Sequence, residues 1–132
     1  MLRLAAGVLA VGCGDDGDDV NNNADDYSGQ DAEVAQVVDD FANAGRDGDG
    51  EKICGEIFSE ELTQNVEKAA EQSCPTEVQD NLPEDEYELE VNTLEVSGST
   101  ATVGVTDQDD NKSVLHIEKD GASWRIARVT PG

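Results

Sequence analysis

Four side chains in this sequence could take part in covalent or metal chemistry: three cysteines and one histidine. They are Cys13, Cys54, Cys74 and His116. Zinc sites use closely spaced ligand pairs such as Cys-x-x-Cys, and no two of these residues are that close. The set therefore predicts no metal site and no cofactor. The cysteines are left with lipid attachment or disulfide formation as their chemistry.

The N-terminus contains a basic residue, an apolar run and a cysteine in that order. Arg3 precedes the apolar residues 4–11, and Gly12 and Cys13 precede Gly-Asp-Asp-Gly-Asp-Asp. This order resembles a bacterial lipoprotein signal, which implies cleavage after residue 12 and a lipid on Cys13. We therefore expect residues 1–12 to be a signal peptide and the mature protein to be extracytoplasmic, anchored to the cell membrane by lipid. An ordinary signal peptide, or a frayed terminus with an incidental cysteine, is the alternative.

If Cys13 carries lipid, Cys54 and Cys74 remain as an even pair. Such pairs oxidise outside the cytoplasm, so we expect a Cys54–Cys74 disulfide. Closing this loop would stabilise the folded state by about 3 kcal/mol, by the chain-entropy estimate. Metal binding by the pair together with His116 is the alternative, but this ligand set is thin.

One acidic segment matches several spacings of a calcium-binding EF-hand loop. The matching residues are Asp107, Asp109, Asn111, Ser113 and Glu118. Lys112 replaces the glycine that the loop requires, and its charge opposes a cation. The segment also has the pattern of a hairpin rather than of helix–loop–helix. The sequence therefore predicts no specific calcium site.

The charge balance restricts the partners. The chain has 31 acidic residues against 8 basic ones, a formal net charge of -23. A chain this acidic repels nucleic acid and anionic lipid headgroups, so we expect no nucleic-acid partner. Contact with the membrane would then depend on the lipid. Residues 13–30, the lipidated cysteine and an acidic segment poor in apolar residues, are expected to form a disordered tether. The folded domain is expected at 31–132.

The first half of that domain has apolar residues at helical spacing. Positions i, i+3, i+4, i+7 and i+8 are apolar at Val34, Val37, Val38, Phe41 and Ala42. This predicts a helix that Asp31 caps and that ends at Gly45 or Gly48. We expect further helical segments at 53–58, 59–74 and 76–82.

The second half alternates apolar and polar residues, which is typical of strands. Turn residues at 97–99, 107–111 and 120–121 divide it into a four-stranded antiparallel meander. The phase of the alternation changes between Val91 and Leu94, which predicts a bulge near Asn92 and Thr93. N-terminal helices followed by such a meander indicate the α+β class.

The helical part and the last hairpin also resemble a known family. The residues that carry the resemblance are the Val34–Ala44 stripe, Gly45-Arg-Asp47, Cys54, Cys74 and Gly121-Ala-Ser-Trp124-Arg-Ile126. They resemble the nuclear-transport-factor-two-like (SnoaL-like, cystatin-like) domains of small bacterial lipoproteins, many of them actinobacterial. The resemblance implies a curved sheet that wraps around the helices as a cone with an open mouth. It also implies pairing into homodimers through the sheet.

Enzymes of that superfamily place acids, tyrosines or histidines inside the cone to act on an apolar substrate. Tyr87, Trp124 and His116 are the candidates here for lining a pocket. Each also has a structural interpretation. His116 alternates with Leu115 and Ile117 and should point away from whatever they contact, while Tyr87 and Trp124 are typical core aromatics.

No serine, cysteine or lysine has the context of a catalytic nucleophile. We therefore expect a lipid-anchored module without catalysis that binds an envelope protein or a small ligand. The alternative is a small-molecule isomerase or cyclase-like enzyme of the same fold, which converging polar groups inside the cone would favour. A structural spacer or immunity-type accessory protein is the third hypothesis.

Overall fold

The computed structural model describes residues 22–81 and 87–132. Helices precede strands along the chain, so the predicted α+β class is confirmed. The helices are α1 (Gly29–Asp47), α2 (Gly50–Lys52), α3 (Glu60–Ala70) and α4 (Cys74–Asn81), with a 3₁₀ turn at Asn23–Asp26 and a π-helix at Ile53–Ile57. The strands are β1 (Leu89–Ser97), β2 (Thr100–Asp107), β3 (Lys112–Asp120) and β4 (Ser123–Pro131).

Helix α1 starts earlier than the sequence predicts. Its N-cap is Ser28, whose side chain makes no capping hydrogen bond, and Asp31 lies inside the first turn. The helix ends at Gly48, which has a φ of 71° that glycine adopts without strain. An acidic side chain near a helix N-terminus is favourable whether or not it is the cap, which is why Asp31 misleads.

Helix α3 starts where Ser59 predicts but ends before Cys74. The Ser59 hydroxyl accepts a hydrogen bond from the Leu62 backbone N–H at 3.1 Å, as an N-cap does. The helix stops after Ala70, because Glu71 adopts a left-handed conformation with a φ of 58°. Cys74 therefore begins α4 instead of ending α3. Pro75 fits there, since proline is tolerated in the first turn of a helix.

The strands form one antiparallel sheet in the order β1-β2-β3-β4, the predicted meander. The register between β1 and β2 shifts between Val91 and Thr93, which confirms the predicted bulge. A second shift, between β3 and β4 at His116 and Ile117, was not predicted. It changes the phase of β4, so that Val129 pairs with the buried Leu115. Val129 is nevertheless 45% exposed.

The core lies between α1 and one face of the sheet. Helix α1 contacts β1 and β4, the two edge strands, and therefore crosses the whole sheet. Its Val34, Val38 and Ala42 are fully buried. The sheet side chains of this core are apolar: Leu89, Ala101, Val103, Val105, Leu115, Ile117, Trp124 and Ile126. Burying each larger one contributes about 1.5–3 kcal/mol.

The packed structure begins before the predicted start at residue 31. The 3₁₀ turn at Asn23–Asp26 contacts α1, so residues 22–30 belong to the domain rather than to a tether. The turn buries no residue and is held in place by hydrogen bonds to α1. The hydrophobic pattern of the sequence does not reveal such polar contacts. The expected signal peptide, Cys13 and the rest of the expected tether lie outside the described residues.

Candidate functional site

The predicted disulfide is present. Cys54 and Cys74 are bonded, with their Cα atoms 6.1 Å apart. Cys54 lies in the π-helix and Cys74 begins α4, so the bond fastens these two helical segments together. Gly50 supports the same contact, because a Cβ there would lie 2.6 Å from the Pro75 carbonyl oxygen. Helix α4 is thus fixed at its N-terminal end by a covalent bond and a close backbone approach.

The three side chains expected to line a pocket do not converge. Trp124 is buried in the core, and its Nε1–H donates to Glu33 Oε1 at 3.2 Å. The Lys119 ammonium group lies 5.7 Å from the centre of its ring, within cation–π distance. Trp124 also borders a wide surface groove beside α1.

His116 lies on the sheet face opposite α1. Its Nδ1 is 3.4 Å from Arg128 Nη2, and its Nε2 is 3.0 Å from Thr130 Oγ1. A guanidinium can only donate, so Nδ1 is the acceptor in the contact with Arg128. Because Leu115 and Ile117 face the core, His116 cannot share a pocket with Trp124.

Tyr87 packs edge-on against Phe41, with ring centroids 5.7 Å apart and an interplanar angle of 84°. Burial raises the pKa of its phenol above the ordinary value of 10.0, and the Asp107 carboxylate raises it further. The hydroxyl is therefore held in its neutral form over the physiological pH range. This protonation state and the aromatic contact fit a core residue at the rim of the aromatic cluster.

A buried carboxylate in α1 was missed by sequence reasoning. Asp39 is 2% exposed, and its Oδ1 accepts from the Asn23 backbone N–H at 2.8 Å and side-chain Nδ2 at 2.9 Å. Its Oδ2 accepts from the Ala24 N–H at 2.9 Å. Asn23 also bonds to Leu89 and Val91 of β1. The pair Asn23–Asp39 ties the N-terminal turn to both layers, which is a structural role.

A pocket with a mostly apolar lining lies in the helical part of the domain. It has a volume of about 350 Å³ and lies between α3, α4 and two aromatic rings. We call it the helix pocket. Its lining residues are Phe41, Phe58, Val66, Ala69, Ala70, Glu77, Val78 and Asn81. The Phe41 and Phe58 rings are 5.6 Å apart and tilted by 52°.

Glu77 is the one titratable side chain among these lining residues. Its Oε1 accepts from Gln72 Nε2 at 2.6 Å, and its Oε2 accepts from Asn81 Nδ2 at 2.8 Å. The same Asn81 amide donates to the Glu77 carbonyl at 2.8 Å. A carboxylate has about four lone-pair sites, so each oxygen can accept one more hydrogen bond. Glu77 is therefore held in position and can still accept a donor from a ligand.

The helix pocket exists because small side chains stand opposite large ones. Helix α3 presents Val66, Ala69 and Ala70 towards the two phenylalanines, and none of its residues is fully buried. The sequence contains a signal for this, since two alanines occupy the end of the α3 apolar stripe where larger residues would fill the space.

Over the ranges 22–81 and 87–132, no helix is long and apolar enough to cross a membrane, and no three metal-ligating side chains form a cluster. Asp107, which sequence analysis weighed for calcium, bonds instead to its own turn through the Asp109 and Asn111 backbone N–H groups. Comparison with family models, with curated proteins and with solved structures finds no match to this chain.

Proposed function

We propose that this chain is a binding module held outside the cytoplasm by a lipid on Cys13, and that it binds a small, largely apolar molecule in the helix pocket. The observation that carries the binding role is the lining of that pocket. Six of its residues are apolar, namely Phe41, Phe58, Val66, Ala69, Ala70 and Val78. A volume of about 350 Å³ lies within the range of roughly 300–1,000 Å³ typical of small-ligand sites.

The chemistry of the pocket favours binding over catalysis. General acid–base work in an apolar site requires a titratable group aimed at the reacting atom. Among the described lining residues only Glu77 is of this type, and no second titratable side chain lines the pocket to act as its partner acid or base. The sheet face under α1, where the alternative isomerase would hold its polar groups, carries apolar side chains in the described core. Both observations support a binding module.

The extracytoplasmic location is supported by the disulfide. Bonds such as Cys54–Cys74 form and persist in oxidising compartments and are rare in the cytoplasm. The N-terminal sequence that resembles a lipoprotein signal supports the same location. We further propose that the meander and α1 form the cone of a nuclear-transport-factor-two-like domain. Helices before an antiparallel sheet, with α1 across one face, support this fold.

The binding role is tested with the neutral fluorescent probe N-phenyl-1-naphthylamine. The full chain carries Cys13→Ser, so that no lipid or detergent competes for the probe, and its disulfide is oxidised. We expect saturable binding that Ala70→Phe weakens about tenfold or more, because the new ring occupies the space beside Phe41 and Phe58. Ala122→Phe, in the β3–β4 turn, is the matched control and should bind as the parent does. Equal binding by both variants would place the probe elsewhere and overturn the proposal.

The anchor is tested by the intact mass of the protein from the membrane fraction of its host, with and without reductant. We expect a diacylglycerol on an N-terminal Cys13 and two thiols that react only after reduction. An unlipidated chain that retains Met1 would overturn the extracytoplasmic location.

A further inference from the structure

The helix pocket has one charged group and no positive charge to balance it. Glu77 lies among apolar residues, and neither Lys nor Arg occurs among the described residues that line the pocket. The two groups that bond to its carboxylate oxygens, Gln72 and Asn81, are neutral amides. An amide donor orients a carboxylate without neutralising it. Glu77 also lies in the first turn of α4, where the helix N-terminus compensates part of its charge, and no cationic side chain among the described lining residues compensates the rest.

Glu77 differs in this respect from the acidic residue buried most deeply in the described domain. Asp39 is 2% exposed, and two backbone N–H groups and a side-chain amide occupy its oxygens, so the fold itself uses that charge. Glu77 is half-buried and faces a space that a ligand can enter. A half-buried carboxylate beside an empty apolar space is best stabilised by a cation that enters that space.

We propose that the ligand of the helix pocket is an amphiphilic cation, with an ammonium group at Glu77 and an aryl or alkyl body against Phe41 and Phe58. This inference rests on the binding function proposed above. The two phenylalanine rings favour the same class, because aromatic faces attract cations as well as apolar groups. The net charge of -23 also raises the local concentration of cations and opposes anionic amphiphiles.

The test uses three probes that share one skeleton and differ in charge. 4-Phenylbutylamine is cationic, 4-phenylbutanol is neutral and 4-phenylbutyrate is anionic at pH 7. Each displaces the naphthylamine probe from the same Cys13→Ser chain at low ionic strength. We expect the amine to bind about fivefold or more tightly than the alcohol, as for an ion pair at a partly exposed site. The butyrate should bind most weakly.

Glu77→Gln tests whether this residue is the source of the preference. The variant keeps the size of the side chain and removes its charge, so we expect the preference for the amine over the alcohol to disappear. A far-ultraviolet circular dichroism spectrum and a urea midpoint like those of the parent show that the variant is folded. Glu95→Gln removes the same charge from an exposed position on β1 and is the matched control. It should keep the preference.

The outcomes separate this inference from the proposed function. Equal binding of amine and alcohol by the parent chain, or loss of the preference in Glu95→Gln as well as in Glu77→Gln, would overturn the role of Glu77. The apolar binding function would survive either result. Failure of all three probes to displace the naphthylamine would overturn this inference, whereas the absence of saturable naphthylamine binding would overturn the binding function and this inference together.

Discussion

Helices α1 and α3 use apolar residues differently. Helix α1 faces the sheet with branched side chains, and its Val34 and Val38 are 0% exposed. Helix α3 has a comparable apolar stripe but no fully buried residue. The difference is one of filled volume, since valines interlock with the sheet whereas Ala69 and Ala70 leave a gap. The same hydrophobic pattern thus gives a filled core at α1 and a pocket at α3.

The walls of the helix pocket are also held in place by individual bonds. The Thr63 hydroxyl donates to the Cys54 carbonyl at 2.9 Å, which fixes α3 to the π-helix. The disulfide fixes α4 to the same segment through Cys74. A gap between two helices would otherwise close, because apolar surfaces collapse onto each other. These links explain how the pocket stays open while α1 and the sheet pack tightly.

Truncating one side chain in the core and one in the helix pocket gives the largest expected difference in stability. Leu115 faces α1 and is 2% exposed, whereas Val66 lines the helix pocket and is half-buried. Leu115→Ala should lower the free energy of unfolding by about 2–5 kcal/mol, because it leaves a cavity in a filled core. Val66→Ala should cost less than about 1 kcal/mol, since it enlarges a space that already exists.

Urea denaturation followed by circular dichroism measures both values. A cost for Val66→Ala close to that of Leu115→Ala would mean that α3 is packed as tightly as α1. The contrast between a filled core at α1 and an open pocket at α3 would then be wrong.

Removing the disulfide tests the claim that bonds hold the pocket walls. The double variant Cys54→Ser, Cys74→Ser should lose about 3 kcal/mol of stability, by the entropy estimate for a loop of this length. It should also bind the naphthylamine probe more weakly, because α4 is no longer fastened to the π-helix. Cys13→Ser, which leaves the bond intact, is the control in the same denaturation and binding assays. Unchanged probe affinity in the double variant would show that packing alone sets the pocket.

The fold was predictable where one local pattern decides it. The α1 stripe, the hairpin turns and the bulge near Thr93 all follow from spacing and turn residues, and the Cys54–Cys74 pair follows from cysteine arithmetic. The start of the domain was not predictable, because a polar contact between Asn23 and Asp39 decides it. Such a contact joins residues far apart in the sequence and leaves no periodic signal.

The candidate site was harder to predict than the fold. A pocket is a space that side chains do not fill, and periodicity reports only which residues are apolar, not their summed volume. Ala69 and Ala70 are apolar positions of α3 that periodicity cannot distinguish from core positions, and they form a pocket wall. His116 and Trp124 attracted attention by their type, but the register places them on opposite faces of the sheet.

Replacing Asp39, the buried carboxylate of α1, tests how the packed part of the domain holds the N-terminal turn. Asp39→Ala removes the acceptor of three hydrogen bonds from Asn23 and Ala24, and should cost about 1–3 kcal/mol of stability. It should also speed hydrogen exchange at the Asn23–Asp26 turn. Asp40→Ala, at the next position of the helix, is the control and should cost less than about 0.5 kcal/mol. Equal effects of the two variants would mean that the N-terminal turn is held by other contacts.

The smallest effect is expected at Tyr87, which packs on Phe41 where the core meets the helix pocket. Because the folded state raises the pKa of the phenol above 10.0, the unfolded chain loses this proton first as the pH rises. The contribution of Tyr87 to stability is therefore present below about pH 10 and is lost progressively above it. Tyr87→Phe should change stability by less than about 1 kcal/mol at pH 7.

Above pH 10 the variant should lose less stability than the parent, since it has no phenol to ionise at this position. Denaturation midpoints from pH 8 to 11, with absorbance of the phenolate recorded in parallel, measure this difference. All other groups titrate in both proteins and cancel in the comparison. Parallel pH profiles for the two proteins would show that Tyr87 is solvated like a residue of the pocket rim. Tyr87 would then belong to the open surroundings of the helix pocket, and the filled core would end at Phe41.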